Sequence, residues 1–413
     1  MKSSRYIIFF ILIFIRVAQS QWFPQAAGTN YELKSVYFTG PNTGYICGYN
    51  LVLKTTNGGL NWNNTFLQGK HNSLTFTDSD TGYISSDSGK IFKTTNAGSN
   101  WNLQVSNTIK NLTSISFLNS ETGIVTGYGK TLLKTTSGGN DWFSIANIIW
   151  EVDFLSSKII NADNYFATGT DSYIIRTTNG GTNWIPFTHG QVNPLFTVDF
   201  INENTGFATG CCGMFMVTTN SGVNWSQDVY LSLGFTFYSL RFIDANTGFC
   251  SGGNGMIFRT TNTGISWDST VTGTDEILYS LYIINSNTGW AVGNFGKILK
   301  TTNGGGTGFP IGIEPVTNEI PRAFKLSQNY PNPFNPVTKI RFETPFNPGE
   351  VGNQVRLFIY DVTGKLEKIL LDSFLKAGVY EIDFEGSNFS SGIYYYVLES
   401  GGYIESRKMV LLK

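Results

Sequence analysis

One phrase recurs seven times, and its spacing constrains this chain more than any other feature. It reads TTNGGLNW (Thr55–Trp62), TTNAGSNW (Thr94–Trp101), TTSGGNDW (Thr135–Trp142), TTNGGTNW (Thr177–Trp184), TTNSGVNW (Thr218–Trp225), TTNTGISW (Thr260–Trp267) and TTNGGGTG (Thr301–Gly308). The starts are separated by 39, 41, 42, 41, 42 and 41 residues. A second phrase precedes each copy: NTGYICG, DTGYISS, ETGIVTG, NTGFATG, NTGFCSG and NTGWAVG, with a degenerate version at Asn164–Gly169. A period of about 40–45 residues built from short apolar runs signifies one four-stranded blade per repeat. The expected fold is all-β: a seven-bladed β-propeller over residues 21–308, followed by a small Ig-like β-sandwich.

The first repeat shows the layout. LKSVYF (Leu33–Phe38) alternates and reads as inner strand A, PNTG turns, and YICGY is strand B. Asn50 makes a tight connection into LVLKTT, strand C; NGGLN turns again, and Trp62 opens the outer strand D. The seventh copy ends in Gly308 and lacks its Trp. Trp22, in QWFPQ, precedes Trp62 by 40 residues, one blade period. The N-terminal segment is therefore expected to supply the outer strand of the last blade and remove its exposed edge.

Within the phrase, Asn usually takes the third position (Asn57, Asn96, Asn179, Asn220, Asn262 and Asn303, with Ser137 the exception). A short Asx side chain can bond backbone amides two residues on and hold the turn. The fifth position is Gly in all seven copies: Gly59, Gly98, Gly139, Gly181, Gly222, Gly264 and Gly305. That suits a site of positive φ. The closing Trp62, Trp101, Trp142, Trp184, Trp225 and Trp267, with Trp22, then cover the turns. Repetition around a ring makes these residues turn staples rather than a ligand or metal site. A basic residue precedes the phrase in six copies, with Val217 the exception. It is expected to pack its stem on the neighbouring strand, the Trp face being one candidate surface.

The phrase resembles the Asp-box, S-x-D-x-G-x-T-W. Phrase and period together look like the Ycf-type propellers, the photosystem II stability and assembly factor family, over residues 21–308. The resemblance implies a propeller fold. In photosynthetic organisms it implies an assembly chaperone that binds a membrane-protein partner through an arginine-rich patch. Here residues 21–308 hold only Arg176, Arg241 and Arg259, two of them at the position before the phrase. The photosystem role is not carried over, and the arginine triad of Asp-box sialidases has no counterpart.

Charge narrows the choice. With 28 basic and 29 acidic residues, a net charge of −1, no bulk field exists to hold nucleic acid. At 15% aromatic and 14% charged, the chain is not of disordered composition. Two histidines leave no basis for a metal cluster or histidine triad, and no cofactor is called for. The chain opens MKSSR, runs apolar from Tyr6 to Ile15, and offers a small-residue site at Ala18-x-Ser20. Residues 1–20 read as a secretory signal peptide, and no later stretch could span a bilayer. The four cysteines, Cys47, Cys211, Cys212 and Cys250, allow three pairings. Adjacent Cys211 and Cys212 suit neither a zinc knuckle nor a CxxC pair, and buried free thiols are preferred to a bridge.

Both repeated phrases belong to A–B and C–D turns, which open on one face of a propeller. The B–C and D–A loops open on the other and vary among blades. They offer Tyr49, Asn50, Tyr128, Asp171, Tyr173, Met214, Asn254, Asn294 and Phe295, with His71, Trp150, His189, Asp275 and Glu276. Aromatics with amides suit glycan or peptide docking. A glycoside hydrolase would need two carboxylates about 5–10 Å apart; Asp87, Glu151, Asp153, Asp171, Asp275 and Glu276 are the candidates, with solvated loop charge the competing reading.

The periodicity stops after Thr302. Residues 309–320 read as a Gly/Pro-rich linker and 321–413 as a separate module of about seven short strands. Its NYPNPFNP, YDVTGK, AGVY, SSGIYYY and closing KMVLLK are similar to the C-terminal sorting domain of the type IX secretion system. That resemblance implies recognition by the type IX machinery and localisation outside the cell or on the outer membrane, by way of the periplasm. The combined expectation is a monomeric, exported binding propeller for an extracellular protein or glycan. A glycan-active hydrolase or lyase, and an assembly factor for an envelope complex, are the alternatives.

Overall fold

The computed structural model describes residues 22–413 apart from 189, 191, 227–234, 265–266, 271, 306–308, 312–320, 346–352, 376 and 388. The expected signal peptide and His189 lie outside the described residues. The structure is all-β, and seven A–B–C meanders follow one another. The A strands are Leu33–Phe38, the end of Asn63–Phe76, Leu112–Phe117, Phe154–Ile159, Leu195–Phe200, Phe237–Phe242 and Leu278–Ile283. The first two sheets run together, because Gly44–Thr55 serves as both B and C of the first, and Asn63–Phe76 as D of the first and A of the second.

Phe23–Gln25 pairs antiparallel with Ile298–Thr301, Phe23 opposite Lys300, as the outer strand of the last sheet. Trp22 beside it is fully buried and donates its indole N–H to Thr270 Oγ1 at 3.0 Å. Phe309–Ile311 does not stay a linker throughout its length. It pairs with Trp267–Thr270 as a fifth strand on the sixth sheet, Trp267 opposite Ile311.

The core is a ring of wedges between neighbouring sheets. Strand B is buried on both faces in each repeat, so its residues are apolar or small and uncharged rather than alternating inside and outside. One motif repeats at these interfaces. An aromatic of strand B stacks on the last Phe of the next strand A: Trp290 on Phe38 at 3.6 Å, Tyr45 on Phe76 at 4.2 Å, Tyr83 on Phe117 at 4.0 Å. The phrase Trp then meets that Phe edge-on, as in Phe38–Trp62 and Phe117–Trp142, both at 6.0 Å. Aromatic pairs prefer both geometries, which add about 0.5–1.5 kcal/mol each beyond burial.

The phrase itself is wired through its threonine. Thr55 Oγ1 accepts from the amides of Asn57 and Gly59 and donates to Asn57 Oδ1. Asn57 Oδ1 in turn accepts from Asn61 N, four residues on rather than two. Gly59 has φ +88, and a Cβ there would stand 2.9 Å from Trp290 Nε1 of the preceding sheet.

The basic residue before the phrase reaches further than expected. Lys54 Nζ donates to Ala97 O, Lys93 to Gly138 O, Lys134 to Gly180 O and Lys300 to Gly58 O, each the turn of the next sheet around the ring. Arg176 and Arg259 do the same to Ser221 O and Gly304 O. The ring beneath the cation is the strand-B aromatic, such as Tyr45 or Trp290, not the phrase Trp.

Cys47 and Cys250 are buried free thiols, whereas Cys211 and Cys212 form a disulfide between chain neighbours, against the preference for free thiols. The C-terminal module is two packed sheets, one of Lys325–Leu326, Val337–Thr344 and Gly378–Glu385, the other of Leu366–Leu375, Asn353–Asp361, Gly392–Ser400 and Tyr403–Leu411. Ile340, Phe342, Leu357, Ile359, Tyr396 and Leu411 are among the side chains between them. Asn329 of the NYPNPFNP segment is buried; its amide donates to Tyr396 Oη and its side chain to Pro331 O and Thr338 Oγ1.

Candidate axial binding site

Every A strand carries a register shift at its second residue: between Leu33 and Ser35, His71 and Ser73, Leu112 and Ser114, Phe154 and Ser156, Leu195 and Thr197, Phe237 and Ser239, and Leu278 and Ser280. A bulge leaves its extra residue unpaired and re-aims the side chain. The bulged residues are Lys34, Asn72, Thr113, Leu155, Phe196, Tyr238 and Tyr279, and all seven line one cavity of ≈ 580 Å³. Because each repeat contributes the same position, the cavity lies on the axis of the ring.

The next residue of each A strand is Ser or Thr, and four of these hydroxyls stitch neighbouring sheets. Leu74 N donates to Ser35 Oγ, Ile115 N to Ser73 Oγ, Leu281 N to Ser239 Oγ, and Val36 N to Ser280 Oγ, the last closing the ring. Strand B makes room for the bulge. A Cβ on Gly293 would stand 1.8 Å from Ile277 O, so the backbone approach there requires glycine. The second repeat has Ser86 at this place, and its hydroxyl is tied to His71 Nδ1 at 2.7 Å.

The constant scaffold thus presents a variable ring. One arc is aromatic: Phe196 and Tyr238 have centroids 5.0 Å apart, Tyr238 and Tyr279 5.2 Å apart. Lys34 Nζ lies 3.4 Å above the Tyr279 ring and 2.7 Å from Glu32 Oε1. Burial pushes the Lys34 pKa down, with the Glu32 contact partly offsetting it. Burial raises the Glu32 carboxyl, but hydrogen bonds from Lys34 and Tyr279 outweigh it and hold the group below its usual range. Burial and the neighbouring Glu32 push the Tyr279 phenol up. The other arc is polar. Asn72 Nδ2 donates to Asp87 Oδ1 at 2.8 Å and to Leu112 O at 2.7 Å, and Asn111 Oδ1 accepts from Ser88 N at 3.0 Å. Lys70 and Tyr128 complete the mouth.

Of the side chains singled out from sequence, Tyr128 and Asp87 line this cavity. Asn294 lies just outside it, its side chain bonded to Tyr279. Tyr49 packs edge-on against Tyr31 at 5.7 Å, and Asn50 (φ 60) accepts from Gly69 N. Asp171, Asn254 and Phe295 hold the first φ-positive place of two-residue B–C turns and are exposed, outside the lining of the cavity. Met214 is corrected: it is 2% exposed, drawn into the core between the fourth and fifth sheets beside Trp225. Trp150 and Tyr173 are half-buried, packed together between the third and fourth sheets.

Sequence reasoning missed all seven bulged residues: none of them was singled out as a ligand contact. The available signal was positional: a residue varying from Lys to Leu to Tyr just before a position that is always Ser or Thr. Among the described residues no group of three or more His, Cys, Asp or Glu is placed to hold a metal ion, and no helix is long and apolar enough to cross a membrane.

Comparison with known proteins agrees with this architecture. The model of the family described as photosynthesis system II assembly factor YCF48 matches residues 18–116, and that of the secretion system C-terminal sorting domain matches residues 328–412. Among solved structures, YCF48 bound to D1 peptide is 18% identical with a TM-score of 0.60, covering 70% of this chain and 96% of that one. YCF48 from Cyanidioschyzon merolae is 18% identical with a TM-score of 0.58, covering 68% and 98%. The WD40 propeller domain of Doa1 is 10% identical with a TM-score of 0.53, covering 68% and 96%. No curated protein matches the chain. The sorting domain implies secretion or placement on the outer-membrane surface. The chain thus shares the propeller fold of YCF48 and carries a C-terminal segment similar to the type IX sorting domain.

Proposed function

We propose that this chain is an exported binding protein whose ligand docks at the axial mouth of the propeller. The observation that carries the reading is the ring of seven bulges: one repeated device aims seven different side chains into a single cavity. Repeats fix the scaffold and free one position per blade for recognition, which is how propellers and solenoids present binding surfaces. The tail supplies export by the type IX machinery, reached from the periplasm after signal-peptide removal.

The catalytic alternative draws less support. Among the described residues lining the cavity Asp87 is the one carboxylate, and glycoside hydrolysis needs a pair. The assembly-factor alternative draws on the likeness to YCF48, a propeller solved bound to D1 peptide. In this chain, however, Arg176 and Arg259 are committed to turn carbonyls and Arg241 lies over the Tyr282 ring.

The test is to plug the axis. Leu155→Arg places a charged, bulky side chain in the cavity, while Leu60→Ser alters an exposed residue of a C–D turn on the other face. Ligands captured by the full chain from a glycan array and from cross-linked cell-surface proteins should be lost with the first variant and kept with the second. Capture that survives the plug would remove the axial reading.

A further inference from the structure

We infer that the axial cavity takes the end of a neutral glycan; this rests on the binding reading above. The chemistry of the two arcs is the first reason. Phe196, Tyr238 and Tyr279 form an apolar, π-faced wall; across from it, Asn72 spends both amide hydrogens on Asp87 and Leu112, which leaves its carbonyl oxygen and the Asp87 carboxylate as acceptors and the Asn111 amide nitrogen as donor. A pyranose ring has this same division, with C–H groups on its faces and hydroxyls, each both donor and acceptor, around its edge.

Charge is the second reason. Lys34 is taken up by Glu32 and by the Tyr279 ring, and the remaining lining charges are one Lys70 and one Asp87. No sign is in excess, so neither phosphate, nucleic acid nor an acidic peptide has a field to seek. Hydroxyl-rich neutral matter does not need one.

Shape is the third. A cavity walled by all seven repeats around one axis receives a chain along that axis, end first, where an open groove would receive it sideways. At ≈ 580 Å³ it falls within the ordinary range for small-molecule sites, room for one or two sugar units. Tyr279, with one face covered by Lys34, serves as a side wall, leaving Tyr238 and Phe196 as the stacking surface.

The experiment is calorimetry and saturation-transfer NMR on the full chain, with linear neutral trisaccharides of glucose, galactose, mannose and N-acetylglucosamine as probes. At least one should bind. Tyr238→Ala and Asn111→Ala should each weaken it about tenfold or more. Tyr238→Phe should retain it, since stacking needs the ring and not the hydroxyl. Melting curves for each variant separate lost binding from lost folding, and Tyr238→Phe decides the matter if Tyr238→Ala does not fold. A silent panel, or binding indifferent to Tyr238→Ala in a folded protein, overturns the inference. If Leu155→Arg abolishes capture of a protein ligand while every sugar stays silent, the axial site stands and the glycan assignment falls. If a sugar binds and Leu155→Arg leaves it bound, both fall.

Discussion

The backbone amide of Val36 donates to the Ser280 hydroxyl at 3.3 Å, joining residues 244 apart in sequence. The same bond recurs between Leu74 and Ser35, Ile115 and Ser73, and Leu281 and Ser239, so the seam of the ring is built like three of its other joints at the axis. At the periphery the seam is different, because its last sheet borrows a strand from the N-terminus.

That difference sets the cost of opening the ring. Ser280→Ala should cost about 0.5–1.5 kcal/mol, the worth of one hydrogen bond. Trp22→Ala removes a fully buried indole from the core between the last two sheets and should cost about 3–5 kcal/mol. Chemical denaturation of both variants beside Leu60→Ala, an exposed control, checks the ordering. Equal losses for Trp22→Ala and the control would show that the strand is dispensable.

The two glycines of the phrase should respond unequally. The fourth position tolerates side chains at positive φ, since Ala97, Ser221 and Thr263 stand there naturally with φ 54, 58 and 62. Gly58→Ala should therefore cost about 1 kcal/mol. Gly59→Ala adds a Cβ against Trp290 and should cost about 2–4 kcal/mol. Melting temperatures of the pair test this, and similar shifts would mean that backbone strain alone governs both.

One joint lacks its cationic staple. Val217 occupies the place from which Lys54, Lys93 and Lys134 reach the next turn. Val217→Lys should find the carbonyl of Thr263, as its counterparts find Ala97, Gly138 and Gly180, and stabilise the protein by about 0.5–1 kcal/mol. The expected rise in Tm is about 1–3 °C. No rise would mean that the fifth and sixth sheets meet at a different angle.

His71 should make stability depend on pH. It is buried, with Nε2 donating to Leu67 O and Nδ1 accepting from the Ser86 hydroxyl, an arrangement that suits the neutral ring. Burial pushes its pKa down, chiefly, with Lys90 adding to the effect. The unfolded chain then binds a proton more readily than the folded one. The stabilisation is complete above the unfolded value of about 6.5 and is lost as pH falls from there toward the folded value. Denaturation midpoints between about pH 7.5 and 5 should decline in the wild type and flatten in His71→Gln. Parallel curves would place the sensitivity elsewhere.

The fold class was legible because a propeller is periodic, and periodicity survives in sequence. Thr55, Gly59 and Trp62 recur where the geometry needs them, so the turns could be read directly. The candidate site was not legible for the opposite reason. Lys34, Leu155 and Tyr279 share no chemistry; what unites them is a bulge, as in the pairing of Leu33 with Gly48 and of Ser35 with Cys47, and in sequence only their place before a constant Ser or Thr hints at it. Met214 misled because a B–C turn position looks exposed, while the neighbouring sheet covers it. The reach of Lys54 to Ala97 was equally hidden, since sequence spacing does not say which sheet lies beneath a side chain.

The short strand Phe309–Ile311 also decides where mechanical load enters the molecule. It lies along the outer edge of the sixth sheet, next to the Leu366–Leu375 strand of the sorting module, while Phe23–Gln25 closes the ring on the seventh. A pull that reaches the ring from the C-terminal module enters through three residues paired to that edge. The closing strand sits on another sheet and takes none of this initial strain. The C-terminal module thus meets the ring on a different sheet from the strand that closes it.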